Sequence, residues 1–93
     1  MSKALTYSSY LRVDELLSIQ TPLSDGPNGP EHDELLFITI HQVYELWFKQ
    51  ILHELDFLQE RLRANETAQA ARTLRRVLAI LKTIVAQIDV LET

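Results

Sequence analysis

The chain has 93 residues, 46% of them hydrophobic, with two glycines, three prolines, no cysteine and a formal charge of −4 at pH 7. A chain of this length forms at most one domain and buries only about 60–65% of its unfolded surface, so help from a partner is expected. The negative charge argues against a nucleic acid or an anionic membrane as partner; the lack of cysteine removes disulfides, thiolate catalysis and zinc fingers and fits the cytoplasm; and no stretch reaches the roughly 18 apolar residues of a membrane span.

Residues 1–9 are polar and aromatic without periodicity and read as an arm carrying Tyr7. Over 10–20, Val13, Leu16 and Leu17 fall at i, i+3 and i+4 with Asp14 and Glu15 between them, which predicts a short amphipathic helix. Residues 21–30, TPLSDGPNGP, hold both glycines and all three prolines and read as a loop and the one linker. A long helix is predicted over 31–64, with Glu31, Asp33 and Glu34 at the positive end of its dipole and a buried stripe of Leu36, Ile40, Tyr44, Trp47, Ile51, Leu55, Leu58 and Leu62.

The segment RLRANET interrupts that pattern, and Asn65 is placed to cap a second long helix over 66–93. Its seam is expected at Leu74, Val77, Leu81, Ile84, Ile88 and Leu91. This helix ends in register at Thr93 without glycine, proline or a basic last turn, so it reads as cut rather than finished. The fold class is therefore all-α: an arm, a short helix and a long antiparallel hairpin that expects partners in a larger bundle. Phe37, Phe48 and Leu52 lie beside the main stripe and need cover from another chain or further sequence.

Of the three histidines, His41 is the most informative. At about 100° per residue it falls within roughly 60° of Phe37, Phe48 and Leu52, whereas His53, roughly 120° further round, shares a solvated face with Glu45, Lys49, Asp56 and Glu60. A lone imidazole beside apolar residues is more often a hydrogen-bonded core group than a ligand contact, and spacing alone leaves both readings open. His32 with Asp33 and Glu34 makes no metal site, because adjacent helical residues splay apart. Arg72, Arg75 and Arg76 read as a solvated face.

The string HDELLFITIHQVYELWFKQILHELD, His32 to Asp56, closely resembles the N-terminal signature of tryptophan 2,3-dioxygenases, and Tyr7, Tyr10 and Leu11 (Y-x-x-Y-L) with the closing Leu91–Thr93 match the same family. The resemblance implies a cytoplasmic haem enzyme that adds O2 across C2 and C3 of the indole of L-tryptophan, giving N-formylkynurenine in tryptophan catabolism by the kynurenine pathway. It implies that His41 is the distal residue accepting a hydrogen bond from the indole NH, and that Phe37 packs on the substrate ring. It also implies a homotetramer in which Tyr7, Tyr10 and Leu11 help close a neighbouring subunit's pocket.

The family's proximal haem-ligating histidine and its carboxylate-binding arginine have no counterpart here, so the chain is expected to be the first quarter to third of such an enzyme and inactive alone. The alternative is a non-catalytic helical oligomerisation module without the haem-binding half. Tyr7 and Tyr10 would then simply anchor the arm, and Phe37 would be core.

Overall fold

A computed structural model describes residues 4–93, which divide into two compact units, the first ending at Ile38 and the second Thr39–Thr93. Four helices follow one another: α1 (Tyr7–Leu11), α2 (Val13–Leu16), α3 (Glu34–Arg63) and α4 (Thr67–Leu91). Among the described residues there is no strand beyond a single antiparallel bridge, Gly26 to Gly29, and no helix is long and apolar enough to cross a membrane. The all-α expectation holds.

In the first unit, helix formation starts earlier than the sequence reading places it. Residues 1–3 of the expected arm lie outside the described residues. Thr6 then caps α1 in a capping box: its hydroxyl accepts from the Ser9 N–H at 3.1 Å, and the Ser9 hydroxyl accepts from the Thr6 N–H at 3.0 Å. Two orphan donors are satisfied by a local pair that periodicity does not reveal. The helix expected over 10–20 is in fact broken at Arg12, which adopts the left-handed conformation (φ 55°) between α1 and α2 and pairs with exposed Glu15.

The Pro/Gly segment lies inside this first unit, not between the two, and it is tied down. Gly26 and Gly29 exchange backbone hydrogen bonds at 3.0 Å, with Gly29 at φ 89°, a value that needs glycine. The carboxylate of Glu34 accepts from the backbone N–H of Leu23 at 2.8 Å, the N–H of Ser24 at 2.9 Å and the Ser24 hydroxyl, while Ser24 Oγ accepts from the Glu31 N–H at 2.9 Å. Glu34 alone is acidic in the first turn of α3, so of the three expected helix-start charges only this one sits there, and it holds the loop as well.

In the second unit α3 and α4 pack as an antiparallel hairpin. The connection is a Schellman turn: Glu66 N–H donates to Arg61 O at 2.8 Å and Asn65 N–H to Leu62 O at 3.1 Å, with Asn65 left-handed at φ 59°. Asn65 therefore terminates α3 instead of capping α4, whose N-cap is Glu66 without a side-chain cap bond. The stripe on α3 is largely as expected: Ile40 is buried and Tyr44, Trp47, Ile51, Leu55 and Leu58 are half-buried, whereas Leu36 and Leu62 are exposed.

On α4 the seam is displaced. Of the expected residues Val77 is buried and Ile84 half-buried, but they are joined by buried Ala70, Thr73 and Ile80 and half-buried Gln87, while the expected Leu74, Leu81, Ile88 and Leu91 are exposed. Small side chains at Ala70 and Thr73 let the helix backbones approach near the turn. Opposite them α3 buries a carboxylate: Glu54, 5% exposed, accepts from Gln50 Nε2 at 2.9 Å and from Arg76 Nη1 at 3.3 Å. Arg76 is thus held to the hairpin seam rather than belonging to a purely solvated face.

Candidate functional site

The candidate residues lie on two helices. Tyr7, Tyr10 and Leu11 stand at i, i+3 and i+4 and so share one face of α1; Tyr7 is 77% and Tyr10 71% exposed. The capping box at Thr6 starts the helical turn that brings these three side chains together.

Phe37 and His41 both belong to α3. Phe37, in the first unit, is 58% exposed, and His41, in the second, is exposed as well. Within the second unit His41 meets the edge of Tyr44, ring centroids 6.0 Å apart and planes at 61°, and Tyr44 in turn lies 6.3 Å from Phe48 at 35°. His41, Tyr44 and Phe48 thus form a ladder of rings, with the half-buried Tyr44 as its inner rung. The Tyr44 hydroxyl is itself buried. Sequence reasoning placed Tyr44 in the core stripe and missed it as the neighbour of His41; the signal was its i+3 spacing, which sets rings edge to face along a helix.

This arrangement is chemically specific in one respect. An imidazole on an aromatic face presents one directed donor or acceptor beside surfaces that suit a flat apolar ligand. It can hold and orient a ring bearing one polar N–H.

A concavity elsewhere on α3 was not foreseen. A groove of about 630 Å³ is lined by Val43, Leu46, Trp47, Lys49, Gln50 and His53, and His41 is not among its residues. Val43, Leu46, Trp47 and Gln50 recur at i, i+3, i+4 and i+7, the pattern that would have revealed it. His53, expected on a solvated face, borders this apolar groove while remaining exposed. Among the described residues, no group of three or more His, Cys, Asp or Glu side chains is placed to hold a metal ion.

The model of the tryptophan 2,3-dioxygenase family matches residues 1–93. The chain is similar to the tryptophan 2,3-dioxygenase of Herpetosiphon aurantiacus, with 71% identity over 93 residues that make up 100% of this chain and 35% of that protein. It is similar to the tryptophan 2,3-dioxygenase of Anaeromyxobacter sp., 64% identical over 92 residues, 99% of this chain and 33% of the relative. The enzyme of the same name from Aedes aegypti is 46% identical over 94 aligned positions, 96% of this chain and 24% of the relative. The chain spans about a third of the length of the bacterial relatives named here and about a quarter of the mosquito one.

Proposed function

The chain belongs to the tryptophan 2,3-dioxygenase family, and on that premise we propose that it supplies the N-terminal, substrate-facing part of a haem-dependent enzyme that adds O2 across the indole C2–C3 bond of L-tryptophan. The product is N-formylkynurenine, in cytoplasmic tryptophan catabolism by the kynurenine pathway. The single observation that carries this reading is the match of the family along all 93 residues, the ring-bearing stretch of α3 included.

In this reading His41 accepts a hydrogen bond from the indole N–H. Its imidazole is exposed on α3 and braced by the edge of Tyr44, so it can meet a planar substrate without moving its backbone. A neutral imidazole fixes the orientation of the ring without acting as a strong base. Phe37 packs on the substrate ring. Tyr7, Tyr10 and Leu11, displayed together on α1, reach towards the pocket of a neighbouring subunit in a homotetramer.

The haem, when bound, supplies the iron at which dioxygen is activated. The residues present fit the substrate side of such a group: an aromatic ladder ending in one exposed imidazole offers apolar ring surface beside a hydrogen-bonding nitrogen. No residue of this chain is assigned to hold the iron, and its proximal ligand is placed outside the chain. The chain alone is accordingly inactive in this reading.

The test is a His41→Ala substitution in a protein of the relatives' full length. The expected result is a fall of about 100-fold in kcat/KM for L-tryptophan, about 2.7 kcal/mol, with assembly retained. Unchanged turnover overturns the role of His41. The exposed apolar row of α4 also suits a second reading, a non-catalytic assembly module; that reading gains if the full-length protein neither takes up haem nor forms N-formylkynurenine.

A further inference from the structure

We propose that Asn28 is a site of spontaneous deamidation, slowed by the hydrogen-bonded bridge between Gly26 and Gly29 and by the hold of Glu34 on the loop that carries it. The proposal goes beyond the dioxygenase reading and does not depend on it, because it uses the chemistry of the loop alone.

The loop tip reads Asp25, Gly26, Pro27, Asn28, Gly29, Pro30, and Asn28 is exposed. An asparagine loses its side-chain amide when the backbone nitrogen of the next residue attacks its Cγ, and a glycine there puts no side chain in the way. The fold requires glycine at that place: Gly29 has φ 89°, a conformation that other residues rarely adopt. The turn thus keeps the neighbour that makes Asn28 labile. Asn65, the other asparagine of the chain, precedes Glu66 instead, and the Glu66 N–H is bound to Arg61 O at 2.8 Å in the turn between α3 and α4.

The attacking nitrogen beside Asn28 is tied as well. Gly29 N–H donates to Gly26 O at 3.0 Å, and Gly26 N–H donates to Gly29 O at 3.0 Å. The nitrogen must give up its proton to attack, so the ring closes only while this bridge is open. Glu34 governs the opening: it accepts from the N–H groups of Leu23 and Ser24, and Ser24 Oγ accepts from the Glu31 N–H, which fastens both ends of the loop to the start of α3. Local opening of a surface loop costs little, so the reaction is slowed and not prevented.

The step needs no co-reactant but water. Gly29 N forms a bond to Asn28 Cγ and loses its proton to solvent, and the side-chain NH2 group takes up a proton and leaves as ammonia, giving a succinimide. Water opens that ring at Cγ, leaving aspartate, or at the backbone carbonyl, leaving isoaspartate, whose main chain runs through Cβ and Cγ and is one carbon longer. In the isoaspartate product Gly26 and Gly29 no longer face each other in register, so the bridge does not re-form. Asp25, which precedes Gly26, reacts later, because a carboxylate is a poorer electrophile than an amide.

Peptide mass mapping of the 93-residue chain kept at mildly alkaline pH should show a gain of about 1 Da at Asn28 and none at Asn65, with isoaspartate among the products. The native chain should react about tenfold more slowly than the same chain in guanidinium chloride, and Glu34→Gln should recover most of that difference while speeding hydrogen exchange at Gly29 N–H. Asn28→Gln should abolish the gain, because the larger ring closes slowly. An unchanged Asn28 over the time in which the unfolded chain converts completely, or an earlier gain at Asn65, would overturn the site. Equal rates in the native and unfolded chains, or a native rate indifferent to Glu34→Gln, would overturn the control by bridge and clamp. Full resistance of Asn28 in a protein of the relatives' full length would overturn the proposal for the complete protein.

Discussion

Two carboxylates that the structure puts to use carry predictions of opposite kind. Glu54 is buried, and its carboxylate accepts from Gln50 and Arg76. Removing a donor leaves the acceptor in place, so Arg76→Ala is expected to destabilise the chain by about 1–3 kcal/mol in urea denaturation. Replacing the acceptor itself is different: Glu54→Leu removes the buried charge, and Arg76, mostly exposed, returns to water, so stability should change by less than about 1 kcal/mol. Glu34 acts at the surface of the first unit. The Ser24 hydroxyl, then the N–H groups of Leu23 and Ser24, hold its carboxyl below the ordinary glutamate range. A lowered folded value means that its contribution is complete above the unfolded value and is lost as pH falls through the folded one. An NMR titration of the Glu34 carboxylate should therefore find its midpoint low in the native chain, and Ser24→Ala should move that midpoint up towards the ordinary range.

Among the elements, the turn between the long helices is the most exacting. Asn65 sits at φ 59°, a conformation that asparagine tolerates and a β-branched residue does not. Asn65→Val should cost about 1–2 kcal/mol, and Asn65→Gly should gain up to about 1 kcal/mol, both read from urea midpoints. This turn also shows how far the sequence could be read. RLRANET announced an interruption, yet whether Asn65 begins one helix or ends another depends on one backbone angle that composition does not reveal. The stripe on α3 was legible from Ile40 to Leu58 because its large residues have one dominant row. On α4 two rows of like periodicity lie side by side, and hydrophobicity favours the leucines; the row that is buried carries the small residues Ala70 and Thr73 beside Val77 and Ile80. Of the candidate site, His41 and its aromatic surroundings could be found by spacing, but their assignment to an indole pocket came from the family string alone. The groove beside Trp47 was legible and overlooked.

For the molecule as a whole, the amount of core is the controlling quantity. Although 46% of the chain is hydrophobic, the buried hydrophobic residues among those described are Ile40, Ala70, Val77 and Ile80, all in the second unit, and α1 and α2 bury none. The slope of a urea transition scales with the surface exposed on unfolding, and little is available to expose here. At micromolar concentration the 93-residue chain should therefore unfold broadly, with an m-value below about 1 kcal/mol/M, and its open rows should bind a hydrophobic dye in the native state. Mass action adds a second signature: if copies of the chain cover those rows for one another at higher concentration, Tm should rise with protein concentration while dye binding falls. A steep transition at an unchanging Tm, without dye binding, would mean that the exposed leucines of α4 are covered within the single chain in solution, and that the hairpin needs no partner to complete it.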